Sequence, residues 1–338
     1  MVGAAVLDGG KAIPEADPEV SEAIDFANYY ARALDLAESE LADVQMAPLG
    51  TVLITPPWNF PIAIPCGGVL AGLMAGNTVI IKPAPEAVLV AWEMCKALWE
   101  AGIPKEALQF VPTTDDEVGR SLVTDGRINA VILTGAHSTG RMFLGWKPDL
   151  RLLAETSGKN SLIISGMADH DQAIKDLVKS AFGHNGQKCS AASLAVLEAE
   201  VYDNPAFLRQ LRDATASLHV GSAWELSSKV TPIIREPGAE LARGLTQLDE
   251  GESWLLEPKM VDGNPNLWSP GIKLGVKRGS WYHQNECFGP HLAGQNRGGQ
   301  RLHQPGHDRG DCATPAVWRL EEVGLWGWLQ SGWPRIMC

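Results

Sequence analysis

The sequence predicts an α/β fold built on parallel sheet. Three observations carry it. From Gly50 onward, short β-branched runs alternate with stretches of helical periodicity. The runs are apolar almost throughout, as strands covered on both faces are. Pro- and Gly-bearing turns separate them.

The bulk numbers set limits. The 338 residues suffice for two domains, and 45% hydrophobic with 20% charged is ordinary for a globular chain. A net charge of -12 argues against a nucleic-acid partner, which usually meets a basic face. Six cysteines show no CxxC pair, so they read as free thiols in a reducing compartment, with no metal site. Nothing resembles a signal peptide or an apolar run long enough to span a membrane. A cytoplasmic setting is expected.

In order along the chain, residues 15–46 read as a helix, because Val20, Ile24, Ala27, Tyr30, Ala31 and Leu34 recur at three- and four-residue spacing. Residues 51–55 form a strand, followed by the proline-stiffened turn Pro56-Pro57-Trp58-Asn59-Phe60-Pro61. A helix over 62–75 stops at Gly76-Asn77, and 78–83 returns as strand. The rhythm continues with a helix at 86–101 closed by Gly102, a strand at 108–111, a helix at 115–123 and a strand at 129–134. Gly135-Ala136-His137-Ser138-Thr139-Gly140 then opens a helix to Trp146. Strands at 152–155 and 161–164 flank Thr156-Ser157-Gly158-Lys159, and a helix over 169–182 leads into a cysteine loop. A strand at 193–198 and a helix at 203–218 follow, then a mixed region to Pro290. Residues 291–338 contain no lysine and show neither period.

Several stretches could carry chemistry. Cys189 follows Gly183, Gly186 and Lys188; glycines let backbone approach a reacting group, and a nearby positive charge would favour thiolate. Backbone N–H groups after it could receive an oxyanion. The Asn59 amide could do the same, or close a local Asx turn. Glu155 at a strand end could activate water, or be a salt-bridged surface residue. The Gly135–Gly140 turn suits a pyrophosphate at a helix N-terminus, although it is not GxGxxG. Lys82 could meet a ribose hydroxyl or stay solvated. Glu286-Cys287-Phe288-Gly289-Pro290 places a carboxylate before a tight turn. Cys189 itself also reads as a buried structural thiol.

Taken together these stretches resemble the aldehyde dehydrogenase family. The resemblance rests on Pro57-Trp58-Asn59-Phe60-Pro61, on Glu155 before Ser157-Gly158-Lys159, on Gly186-Gln187-Lys188-Cys189 and on Glu286-x-Phe288-Gly289-Pro290, in that order. Cys189 lies 34 residues after Glu155 and 97 before Glu286, and the likeness covers roughly residues 10–290. The run Phe182-Gly183-His184-Asn185-Gly186-Gln187-Lys188-Cys189-Ser190-Ala191-Ala192-Ser193 looks most like the branch that oxidises L-glutamate γ-semialdehyde in proline catabolism.

The resemblance implies a Rossmann-like cofactor domain over 1–156, truncated at its N-terminus, and an α/β catalytic domain over 157–290. It implies NAD as cofactor and a small aldehyde as substrate. Cys189 would be the nucleophile, Asn59 and the Cys189 backbone N–H the oxyanion donors, and Glu155 the base that hydrolyses a thioester. Lys82 and Glu286 would bind the two riboses, with Trp58, Glu86, Gly135, Gly140 and Phe288 also facing the cofactor, and Ser190 holding a substrate carboxylate. Two departures stand out: Pro85 occupies the place where many members have an acid, Glu86 coming one later, and Ala136 replaces a serine. The family's C-terminal anchoring loop and oligomerisation strand are not found in 291–338, which reads as an out-of-frame tail. A non-catalytic remnant retaining weak NAD or partner binding, and a cofactor-free cysteine hydrolase, are the competing readings.

Overall fold

A computed structural model describes residues 1–40 and 43–296. The elements run α1 Val2–Gly9, α2 Ile13–Glu40, β1 Thr51–Thr55, α3 Ala63–Met74, β2 Thr78–Ile81, α4 Val88–Glu100, β3 Leu108–Phe110, α5 Glu117–Thr124, β4 Ala130–Gly135, α6 His137–Trp146 and β5 Leu152–Thr156. Then follow β6 Ser161–Ile164, α7 His170–Phe182, β7 Leu194–Leu197, α8 Ala199–Tyr202, α9 Pro205–Ala216, α10 Ala239–Thr246, β8 Ser253–Leu256, β9 Met260–Val261, β10 Asn264–Trp268, β11 Gly271–Leu274, α11 Trp281–Gln284 and β12 His291–Asn296.

The first sheet has strand order β3-β2-β1-β4-β5 and every pair is parallel. Side chains alternate across a strand with period two. Val52, Ile54, Val79, Ile81 and Ala130 therefore pack on one face, against residues of α1 to α4. Leu53, Val131 and Leu133 pack on the other, with Val123 of α5 and Phe143 of α6. Glycines on α3 let that helix lie close: a Cβ on Gly72 would come 2.8 Å from Val79 Cγ2, and one on Gly67 would come 3.2 Å from the Phe26 ring.

The second sheet has order β6-β7-β12-β11-β8, parallel except for the β11–β8 pair. Ile164, Leu197, Ile272 and Leu292 form one of its cores with α7 and α9. Leu194, Ala293, Tyr282 and Cys287 form the other.

Four expectations change. A helix, α1, precedes the first expected one, and α2 ends at Glu40 with residues 43–50 irregular. The buried stripe of α2 runs through Ala16, Glu19 and Ala23, while Ile24 is 57% exposed. Apolar spacing misread that face because a glutamate occupies it. The helix expected over 203–218 forms as α9, Pro205–Ala216, with its start shifted: Asn204 accepts from the Ala206 and Phe207 N–H groups at 2.9 and 3.3 Å and caps it at Pro205. Finally, His291–Asn296 is not patternless. It forms the central strand β12, whose covered faces leave no alternation to see. The rest of the lysine-free tail, 297–338, lies outside the described residues.

Leu53 is fully buried in the central strand. Leu53→Ala should lose about 2–5 kcal/mol of unfolding free energy in a urea titration. Leu226→Ala, at a residue 67% exposed, should stay within about 0.5 kcal/mol.

Candidate active site

Parallel strands end on one edge. Trp58 follows β1, Lys82 follows β2, Gly135 ends β4 and Glu155 lies in β5, so all four gather at the carboxyl edge of the first sheet. The order reverses direction between β1 and β4, the point where open α/β sheets take their ligands.

The cysteine loop comes from the second half of the chain. After α7 the backbone takes three consecutive left-handed residues, His184 (φ 48°), Asn185 (φ 57°) and Gly186 (φ 66°). Such conformations are strained for residues with a Cβ and persist only when surroundings enforce them. Here Asn185 is fully buried and exchanges hydrogen bonds with Thr231: its Nδ2 donates to the Thr231 carbonyl, and the Thr231 N–H donates back to Oδ1 at 2.8 Å. Gln187, also buried, accepts from the Ile234 N–H at 3.0 Å. Gly186 lies against Gly289, whose carbonyl oxygen a Cβ at position 186 would strike. Asn160 Nδ2 donates to the Cys189 and Ala191 carbonyls.

The structure brings most of the expected residues together. Cys189 is exposed, so it is not a structural core thiol. Asn59 is 5% exposed and its amide Nδ2 donates to the Gln187 carbonyl at 2.9 Å, two residues before Cys189. That bond, and not an Asx turn, is its role in the fold. Trp58 and Phe288 meet edge to face, with centroids 5.7 Å apart. Glu286 accepts from the Gly158 N–H at 3.3 Å. Glu155 is exposed and makes no ion pair among the described residues. Ser190 is exposed beside Cys189.

The electrostatics of Cys189 differ from expectation. Burial, then the Glu155 charge, pushes its thiol up; Glu286 acts in the same sense, and the Cys189 and Ser190 backbone N–H groups oppose it. Lys188 does not activate the sulfur, because its ammonium pairs with Glu15 of α2. The free thiol is therefore the resting form.

The nucleotide candidates are mostly well placed. Lys82 is 8% exposed rather than solvated, and its ammonium pairs with Asp115. The first N–H of α6, from His137, donates to Ser157 Oγ at 3.0 Å. Gly140 is buried on α6 and faces Leu133 and Thr156. Glu86 pairs with Arg235. A buried ammonium, a carboxylate at Glu286 and a helix N-terminus at a switch point together suit a dinucleotide.

Sequence reasoning missed Lys11 and Glu19, a buried ion pair behind Asn59, and Lys159, whose Nζ donates to the Asn285 carbonyl at 2.7 Å and lies 3.9 Å from the Tyr282 ring centre. Burial takes Lys159 down to about 8. The available signal was a lysine and a glutamate eight residues apart at a helix start, which has no distinctive pattern.

Comparison with known proteins identifies the family. The aldehyde dehydrogenase family profile matches residues 1–293. A 1-pyrroline-5-carboxylate dehydrogenase from Staphylococcus saprophyticus is 35% identical over 303 residues, covering 84% of this chain and 58% of the relative. The chain thus spans little more than half the length of the curated relatives it matches. Among solved structures, proline utilization A (PutA) from Corynebacterium freiburgense superposes with TM-score 0.81 at 49% identity, over 86% of this chain and 30% of that one. A variant of Thermus thermophilus 1-pyrroline-5-carboxylate dehydrogenase gives 0.76 at 31%, over 87% of this chain and 60% of that one.

The titration of Cys189 can be read by alkylation. Glu155→Gln removes a charge that disfavours thiolate, so iodoacetamide should label Cys189 faster at about pH 8, by less than about the tenfold of one pKa unit. Peptide mapping should show Cys66, Cys95 and Cys287 unlabelled, since burial raises them to about 11, about 12 and about 11. An unchanged or slower rate at Cys189 would contradict the placement of Glu155.

Proposed function

The chain belongs to the aldehyde dehydrogenase family, and on that premise we propose that it oxidises an aldehyde to a carboxylate through a thioester on Cys189, with NAD as cofactor and L-glutamate γ-semialdehyde as substrate. One observation carries the reading. An exposed thiol, a buried amide and two carboxylates, drawn from four separated stretches, converge on the loop around Cys189.

In this reading Cys189 Sγ attacks the aldehyde carbon, and the thiol proton passes to solvent water, directly or by way of Glu155, which is a carboxylate again before hydrolysis. The carbonyl oxygen becomes an alkoxide, which the Asn59 amide and the Cys189 backbone N–H receive. The second hydrogen of the Asn59 amide is free for this, because the first is given to Gln187. NAD, when bound, would take hydride from the carbon so formed. Glu155 then removes a proton from water, which attacks the thioester carbonyl, and the Cys189 sulfur leaves. A raised resting pKa suits a nucleophile generated only when substrate arrives.

Lys82 and Glu286 would hold ribose hydroxyls, the Gly135 turn the pyrophosphate, with Trp58, Gly140 and Phe288 shaping the pocket. Residues 1–156 would then form the cofactor domain and 157–290 the catalytic domain, with Asn59 and Glu155 reaching the thiol from the first and Glu286 and Phe288 reaching the cofactor from the second. Family members use NAD or NADP. The Asp115 carboxylate beside Lys82 favours NAD, since a 2′-phosphate would meet a negative charge there. Ser190, exposed next to Cys189, would hold the carboxylate of the substrate. The substrate assignment leans on relatives named for 1-pyrroline-5-carboxylate, whose open form is the semialdehyde. Four unpaired thiols among the described residues are in keeping with a cytoplasmic setting.

The test is NADH production by the purified chain from glutamate semialdehyde. Cys189→Ala should abolish it. Asn59→Ala should lower kcat by about 10²–10³, the usual loss for one oxyanion donor. NADH production that persists in Cys189→Ala, or a preference for NADP, would overturn the mechanism or the cofactor choice respectively.

A further inference from the structure

Behind Asn59 lies a buried polar cluster with no part in the steps above. Lys11, in the link between α1 and α2, and Glu19, on α2, are each 1% exposed and form an ion pair. Lys11 Nζ also donates to the Asn59 carbonyl at 2.9 Å and lies 3.9 Å from the centre of the Phe60 ring. The other oxygen of Glu19 accepts from the Ile62 and Ala63 N–H groups at 3.0 and 3.2 Å, at the start of α3. The pair therefore grips both ends of the turn 59–63.

That turn has no other polar anchor of this kind among the described residues, and its prolines fix φ without fixing where the turn sits. Its Asn59 side chain donates to the cysteine loop. The remaining charges nearby belong to the same cluster. Glu15 and Glu22 face Lys11 from α2, and Lys188 and the buried, neutral His184 face it from the cysteine loop. Lys188 is itself tied to Glu15. Charges of alternating sign thus tie α2 to both loops.

We propose that Lys11 and Glu19 are positioning residues for the reaction, a clamp that sets the Asn59 amide against the Cys189 loop. The kinetic part of this proposal rests on the reaction read above; the clamp itself does not.

Lys11→Met alone leaves Glu19 buried and unpaired, and the chain can fail to fold. The double variant Lys11→Met/Glu19→Gln leaves no lone charge, and the side-chain carbonyl of the introduced amide keeps the Ile62 and Ala63 contacts. A thermal transition near that of the unaltered chain shows that it folds. Hydrogen exchange should then speed up at residues 55–63 and 186–190, with the rest of the first sheet unchanged. In turnover, kcat should fall about 10- to 100-fold with the KM for NAD unchanged. Introduced into Asn59→Ala, the same double substitution should lower kcat further by no more than about twofold, because both changes act through one amide. Exchange unaltered at both segments, or kcat losses that multiply with Asn59→Ala, would overturn the clamp. If the unaltered chain makes no NADH, the reading of the reaction fails instead, and exchange alone decides the clamp.

Discussion

Two loops from different sheets must meet for this site to exist, and one buried hydrogen bond spans them. The Asn59 amide, in the turn after the central strand of the first sheet, donates to the Gln187 carbonyl in the loop between α7 and β7 of the second. Everything around that bond limits its freedom. On one side prolines and the Lys11–Glu19 pair hold the turn. On the other, Asn185, Gly186 and Gln187 are each pinned to a different neighbour, Thr231, Gly289 and Ile234. The amide could not reach Gln187 if either loop relaxed.

Polar groups in such a place specify geometry more than they add stability. Two charges taken out of water lose hydration that their attraction barely repays, so a buried pair is near neutral for folding while breaking one side costs about 3–5 kcal/mol. The same holds for the strained run at His184 and Asn185, where each left-handed residue costs about 1–3 kcal/mol. A chain assembled for stability alone would fill this region with apolar side chains. The arrangement instead holds a thiol, an amide and carboxylates in fixed relation, which is what preorganised catalysis requires.

How legible this was depended on the kind of signal. The strands of the first sheet were plain because covered parallel strands read as apolar runs. The motifs around Asn59, Glu155, Cys189 and Glu286 were plain because family members share their residue order. What the sequence hid lay in cross-chain pairings. Lys188 looked like the activator of Cys189 by adjacency, but its side chain turns to Glu15. Glu86 was expected at the cofactor, and its ion pair with Arg235, 149 residues away, had no local sign. The buried face of α2 escaped because Glu19 breaks the apolar stripe, and β12 escaped because a central strand of mixed polar and small residues has no period. No local rule could supply a partner 48 residues away, which is the separation of Lys11 and Asn59.

The central claim is that Cys189 carries the substrate as a thioester between oxidation and hydrolysis. The most direct measurement is the mass of the Cys189 peptide from the Glu155→Gln variant, quenched in acid after mixing with NAD and glutamate semialdehyde. The account predicts a glutamyl acyl adduct on Cys189 that forms only when NAD is present, because a thiohemiacetal would fall apart in the quench. An adduct on another cysteine, an adduct formed without NAD, or NADH released with Cys189 unmodified throughout would contradict it.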